Sequence, residues 1–528
     1  MKKTVTRSTR RISLPGAATL LVITTLIGQV LGFLRTMLVN ANFDDTGVHS
    51  TDAYFAAFKI PDFFFYTLAA GALGVAFIPI LTEHLQKSDR KGVWALSNSL
   101  MNLMAIIMFS VGVIMLIAAP QLMKFIASDL GPEQLREATL ILRLVAFNPL
   151  LFTLSGILTS VQQTFGRFFF FAIAPIVYNC SIIASIFLFR STLGLAGLGV
   201  GAMLGAILQF LVAVIGLYGL NFHYHPKIDF KNTDFWRILR QLPSRALDQG
   251  IDSVNSIVET NRAQALDRGL VTYYENAFTL HTAPILLIGS SISTAAFPRL
   301  SERLAQNRTD LFRKEFIDIL RVLIWLSIPA VIITYFCRGY LARLIFKRGA
   351  PEIALILGFL SIAIMFRVIY TLLSRYFYAH KDTVTPLIVS IFAILLNIIL
   401  AFTLARRESY GAAGLAIAQS IVSGSEVAVL FVVITLRDRY LFTKDFWDSM
   451  VKLVSITGFT IVAAFIMISL LPLGLNDRGF FVLSFKLGTI VAVTLCTHVA
   501  VSALFGFKEA YSVAAKIKKL VLLPIRIQ

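Results

Sequence analysis

The stretch GQVLGFLRTMLVNANFDDTGVHSTDAYFAAFKIPDFFFYTLAAGALGVAFIPILTEHL, residues 28–85, decides how the rest of the chain is read. Two apolar segments meet across a short acidic turn. Arg35, Asp52, Lys59 and Asp62 lie inside or at the ends of segments otherwise fit for lipid. An ionisable side chain at bilayer depth costs a few kcal/mol or more, so it faces a partner or a water-filled cavity. Pro61 and Pro79 interrupt the second segment, with Gly71 and Gly74 between them. Such breaks are tolerated where neighbouring helices or a cavity satisfy the freed carbonyls. The stretch therefore reads as the wall of an internal polar chamber, with Gln29 and Asp62 among its lining residues. Two simpler readings stay open. Lys59 and Asp62 stand at i, i+3 and can neutralise each other, and Asp52 can be a helix N-terminal charge beside a cap at Thr51.

Outward from this stretch, apolar runs recur down all 528 residues. The chain is 57% hydrophobic and 15% charged, with a mean hydropathy of +0.77, whereas soluble domains carry about 25% charged residues. About twenty apolar residues span a bilayer. By that measure about fourteen spans are expected, near 17–39, 53–80, 94–118, 140–162, 168–190, 194–220, 238–262, 272–297, 315–336, 352–379, 384–405, 411–436, 450–472 and 482–505. The expected fold is an all-α polytopic membrane protein. Its net charge of +19 sits in short loops between spans, the distribution left by the positive-inside rule, so nucleic acid is not an expected partner. The same rule places both termini in the cytoplasm, despite the basic loop 338–348 on the other side. The basic tail 508–528 reads as a surface helix against membrane lipids. MKKTVTRSTRR opens on too long an apolar run, without a cleavage site, to be a signal peptide. Cys180, Cys337 and Cys496 are too scattered for a disulfide framework or a metal site.

The first two sets of six spans look like copies. AFIPILTEHL (76–85) answers AFPRLSERL (296–304), FGRFFFFAIAPIVYN (165–179) answers YAHKDTVTPLIVS (378–390), and AGLGVGAMLGAILQ (196–209) answers AGLAIAQSIVSGSE (413–426). Three matches in register point to an internal repeat. Six being even, the copies share orientation and are related by a pseudo-twofold axis along the membrane normal, a transporter architecture with the substrate site between lobes. The expected divisions are a six-helix lobe at 1–222, a second at 223–440, and a helix pair with a basic tail at 441–528.

The seventh span carries the densest polar pattern. Arg245, Asp248, Asp252, Asn255, Glu259 and Arg262 are spaced 3, 4, 3, 4 and 3, which puts them on one helical face. Five of the six are ionisable, so lipid cannot cover that face. The stripe either lines a chamber or forms an internal ladder, since Arg245–Asp248 and Glu259–Arg262 are themselves i, i+3 pairs. In a chamber, Asp248 and Asp252 suit a coupling cation, and Arg245 or Arg262 suits a phosphate. Other polar residues within spans are Glu275, His281, Arg367, Arg375, Glu426 and Lys486. Catalytic signatures of the GxSxG, HExxH and Walker type are missing, so no enzyme and no organic cofactor is expected. Uphill transport would then draw on an ion gradient or the membrane potential, worth about 2.3 kcal/mol per charge per 100 mV.

LGFLR (31–35), TDAYFAAFKIP (51–61), AGALGVAFIPIL (70–81), AAFPRLSE (295–302) and RYFYAHKDTVTP (375–386) resemble the MurJ (MviN) family of lipid II flippases. That family belongs to a larger group with drug/cation antiporters and polysaccharide-lipid flippases. The resemblance implies a bacterial cytoplasmic membrane location. The implied substrate is the undecaprenyl-pyrophosphate-linked disaccharide-pentapeptide precursor of peptidoglycan, lipid II, moved outward by alternating access beside the cell-wall synthesis machinery. It also implies substrate-binding roles for Arg35, Asp52 and Lys59, and a lipid-tail groove on the final helix pair. Na+ or H+ is the implied coupling ion, with Asp248 and Asp382 as candidate sodium ligands. The chain departs from the family pattern at Gln29, where Arg is usual, near Phe65 and Tyr66, at Ala70 and near Thr279. Arg245 and Arg262 are the candidate replacements for the missing charges. Other readings are a cation-coupled exporter of drugs or of another polyprenyl-pyrophosphate-linked glycan, a membrane scaffold, and a glycosyltransferase, whose large loops the chain lacks.

Overall fold

The computed structural model describes residues 14–47, 49–67, 77–346, 348–474, 477 and 479–507, and of 14–23, 25 and 241–251 the backbone alone. Both expected tails, together with Ala70, Gly71 and Gly74, fall outside these residues. Among the described residues all regular structure is helical, and one isolated bridge, Asp44 to Ser50, closes the turn after the first helix. A bilayer-spanning chain must satisfy each backbone group within its own segment, which helices do. The protein is an all-helical, multi-pass membrane protein.

Two compact units, 1–272 and 273–528, divide the chain. The first holds α1 (Leu14–Asn42), α2 (Thr51–Phe65), α3 (Ile78–Gln86), α4 (Arg90–Ile126), α5 (Pro132–Val145), α6 (Asn148–Thr164), α7 (Phe169–Leu193), α8 (Ala196–Ile215) and α9 (Thr233–Leu266). Side-chain oxygens start several of them. Ser50 accepts from the Asp52 N–H, Asp89 from Gly92, and Asn232 from Asp234 and Phe235. The cap of α2 is thus Ser50, one residue before the expected Thr51. One core gathers Val39, Ala53, Ala56, Ile60, Met115, Ile141 and Leu198. A second gathers Leu96, Met104, Ile157, Val161 and Phe235. The helix expected to open the second lobe, α9, packs on α2 and α4 and falls within the first unit.

α10 (Leu270–Pro284) begins in the first unit and continues in the second. A wide turn, Ile285–Ser290, follows its terminal Pro284. Then come α11 (Ser291–Ala305), α12 (Thr309–Phe336), α13 (Arg338–Ile345), α14 (Ala350–Ala379), α15 (Val384–Leu404), α16 (Ala412–Arg437), α17 (Lys444–Leu470) and α18 (Phe480–Leu504). Leu300, Phe312, Phe316, Leu372, Phe377 and Leu430 form this unit's main core. The final pair docks on α12 through Trp325, whose indole N–H donates to Ser502 Oγ at 2.9 Å.

Eleven helical stretches among the described residues are long and apolar enough to cross a membrane. They coincide with eleven of the expected spans. The other three lie on α1, on α2 and α3, and on α9, the segments that carry the charges singled out above.

α7 and α8 approach most closely where the sequence is smallest. Gly197, Gly201 and Gly205 recur every fourth residue on α8, a spacing that lets backbones meet inside a membrane. A Cβ at Gly201 would sit 2.1 Å from Ser185 Oγ and 2.4 Å from its Cβ, and one at Gly205 would sit 2.9 Å from the Tyr178 ring. Overpacking a tight contact costs about 1–3 kcal/mol. Gly201→Val is therefore expected to lower the thermal unfolding midpoint of the purified protein by several degrees, and Gly458→Ala, with nothing within 4 Å of its Cβ position, is expected to leave it unchanged.

Candidate functional site

The acidic turn and the start of α2 are built around Asp52. Its side chain is 1% exposed. Oδ2 accepts from the Gly269 N–H at 2.7 Å, and Oδ1 accepts from the Thr272 N–H at 2.8 Å and the Thr272 hydroxyl at 2.6 Å. The Thr51 and Thr272 hydroxyls lie 2.9 Å apart. Asp52 thus caps the N-terminus of α10 from another helix, where the first N–H groups lack partners of their own and the helix dipole favours negative charge. Three donors already occupy the carboxylate that the family resemblance assigns to substrate.

Two and three turns further along α2, the side chains face different partners. Lys59 Nζ donates to Ser256 Oγ of α9 at 2.7 Å, next in sequence to the stripe residue Asn255. On that stripe Asn255 donates to Glu259 Oε1 at 3.0 Å, Glu259 is buried, Arg262 is partly buried and Asp252 is exposed. Asn261 anchors the same turn to α4 by donating to the carbonyls of Phe125 and Ile126. Arg245 and Asp248 fall outside the residues whose side chains are described. The described half of the stripe has a ladder element, Asn255–Glu259.

Asp62 and Arg35 share a second locale. Their opposite charges both reach the phenols of Tyr54, Tyr66 and Tyr178. Arg35, partly buried on α1, makes no hydrogen bond or ion pair among the described residues. Gln29 is exposed on the same helix. Asp62 and Tyr178 line a small cleft with Asn148 of α6.

The second unit pairs its internal charges. Arg367 meets Glu426 at 3.1 Å, and Glu426 is 4% exposed. Lys486 meets Asp477 at 2.7 Å, and the Arg375 guanidinium lies over the rings of Phe297 and Tyr378. His281 is buried beside the charge of Arg367. Asp382, in the turn before α15, caps that helix by accepting from the Val384 and Thr385 N–H groups and the Thr385 hydroxyl, and it pairs with Arg437 at 2.6 Å. Burial opposes its ionisation, yet the Thr385 bonds and the Arg437 guanidinium prevail and bring its pKa down to about 2. A cation would have to displace Arg437 to reach it. Among the described residues no three His, Cys, Asp or Glu side chains gather as a metal-holding group.

Sequence reasoning missed Thr272 and Ser256, the partners of Asp52 and Lys59, because hydroxyl residues in helices carry no pattern of their own. It also missed Asn148, whose only signal is a polar residue before a proline in an apolar run.

Removing a buried acceptor leaves its donors unmet, at about 1–3 kcal/mol each. Asp52→Ala is expected to lower the unfolding midpoint strongly and to reduce the yield of folded protein, with Asp52→Asn, which keeps one carbonyl acceptor, falling between. An Asp52→Ala protein as stable as the parent would show that the carboxylate does not hold α10 in place.

The sequence profile of a family described as Lipid II flippase MurJ matches residues 47–490. A Borreliella burgdorferi protein described as a probable lipid II flippase MurJ is 26% identical over 428 residues, 79% of this chain and 83% of that protein. One from Vibrio cholerae with the same description is 25% identical over 509 residues, 92% and 94% of the two chains. Among solved structures, an inward closed conformation of lipid II flippase MurJ superposes with a TM-score of 0.75 at 22% identity, covering 92% of this chain and 98% of the other. An inward-facing multidrug resistance MATE family transporter gives 0.69 at 14% identity, covering 80% and 98%. The profile spans most of the sequence, and the chain belongs to the MurJ family.

Proposed function

We propose that this protein is a lipid II flippase, moving the polyprenyl-pyrophosphate-linked disaccharide-pentapeptide from the cytoplasmic to the outer leaflet of the bacterial cytoplasmic membrane by alternating access. The match to the MurJ family over residues 47–490 carries the reading. Physical chemistry supports it. A pyrophosphate and its sugars cannot enter hydrocarbon without polar partners, and arginine's fork of donors suits phosphate. Arg35 is such a donor, partly buried and without an ion pair among the described residues. Arg262 and Arg245, on the helix that packs against α2, add candidates in place of the arginine that Gln29 replaces. Asp52 and Lys59 contribute by fixing α2 to α10 and α9.

In this reading both termini are cytoplasmic, the driving force is an ion gradient or the membrane potential, and the protein acts beside the cell-wall synthesis machinery. The MATE-like architecture keeps a cation-coupled exporter of drugs or of another lipid-linked glycan as the second reading.

The two readings separate in a complementation experiment. In cells depleted of the native protein, Arg35→Ala and the double variant Arg245→Ala/Arg262→Ala are expected to reach the membrane at parental levels and fail to restore growth. Parental growth of the double variant would remove Arg245 and Arg262 from the site. Continued peptidoglycan synthesis in depleted cells without any complementing gene would contradict the flippase reading.

A further inference from the structure

We propose that Asp62, Asn148 and Tyr178 form an oxygen-lined seat for one small monovalent cation inside the first unit. The cleft is walled by these three residues with Pro61, Pro149 and the ring of Phe152. It has room for a single water-sized guest.

Asn148 requires an occupant. It is 2% exposed, and neither its Oδ1 nor its Nδ2 has a hydrogen-bond partner. Buried carboxamides are rarely left so, and a guest in the cleft would meet the Oδ1 acceptor. The neighbouring groups define the guest. A carboxylate, a carboxamide oxygen and a phenol oxygen make a hard-oxygen set, which favours alkali and other hard cations over soft ones. A sodium ion and a hydronium ion are both about the size of the cleft's guest, so the shared chemistry is a small cation bound by oxygen.

The surrounding charges tune this seat. Arg35 from α1, Tyr54 and Tyr66 from α2, and Tyr178 from α7 share the field of Asp62. Lys59, one turn before Asp62, is held by Ser256. Of the other helices packed on α2, α6 carries no ionisable side chain, and α4 carries them only at its ends. α5 carries Glu133, Arg136 and Glu137 in its first two turns and Arg143, which bonds the Leu116 carbonyl; α9 carries its stripe. Arg35, and Lys59, which keeps its charge while donating to Ser256, both oppose a guest beside Asp62. An anion engaging Arg35 would weaken that opposition, so anionic substrate and bound cation favour each other, and linkage makes the effect reciprocal. That coupling role rests on the export reading, whereas binding of the cation does not.

The test is binding, independent of transport. The full chain in lipid nanodiscs is unfolded thermally in sodium chloride and in choline chloride of equal ionic strength, at mildly alkaline and mildly acidic pH. Ligand that binds only the folded state raises the midpoint. Sodium is expected to raise it by a few degrees at alkaline pH, less at acidic pH where protons compete, and the increment is expected to vanish in Asp62→Asn and in Asn148→Leu. A midpoint that rises on acidification without regard to sodium, and no longer does so in Asp62→Asn, identifies the cation as a proton. If one variant fails to fold, the other decides. A midpoint indifferent to both ions, or a dependence that the folded variants retain, overturns the seat and leaves a structural water in the cleft.

Discussion

A membrane interior supplies no water, so every buried polar group must find its partner within the fold, and Asp52 shows how this chain meets that demand. The carboxylate stands at the start of α2 and takes three donors from the start of α10. The exposed amides of one helix end and the negative charge of another each remove the other's cost. Several other polar residues of the interior follow the same rule. Lys59 meets Ser256, Arg367 meets Glu426, Lys486 meets Asp477, and Trp325 meets Ser502.

Against that background the informative residues are those whose demand the fold leaves open. Arg35 is a partly buried cation with no bonded partner among the described residues, and Asn148 is a fully buried amide with both ends unmet. One suits the phosphate of a lipid-linked substrate, the other a small cation. Asp62 lines the cleft of Asn148, and its charge reaches the same phenols as that of Arg35. Substrate and coupling ion would then be read by one patch of α1, α2, α6 and α7, all within the first unit.

Much of this was legible in the sequence, because lipid imposes a length and a composition that a linear reading detects. Eleven of the expected spans recur as apolar helices, and the remaining three are the segments whose charges drew attention first. The stripe on α9 was legible too, since helical periodicity alone places Asp252, Asn255, Glu259 and Arg262 on one face. What each charge touches was not. The donors of Asp52 lie 217 and 220 residues away, and the partner of Lys59 lies 197 residues away, beyond any local pattern. Asp382 read as a possible ion ligand because its carboxylate stands near a span, whereas Arg437 and the first turn of α15 engage it. Asn148 escaped notice because one amide in an apolar run carries no periodicity.

Leaflet accessibility of lipid II in cells depleted of this protein tests the central claim most directly. A probe that acts only from outside the cytoplasmic membrane is added, and the fraction of precursor it reaches is counted. The account predicts that this fraction falls while total lipid II rises, and that the parent gene restores both. Unchanged accessibility in depleted cells would contradict it and direct the search to a different exported substrate.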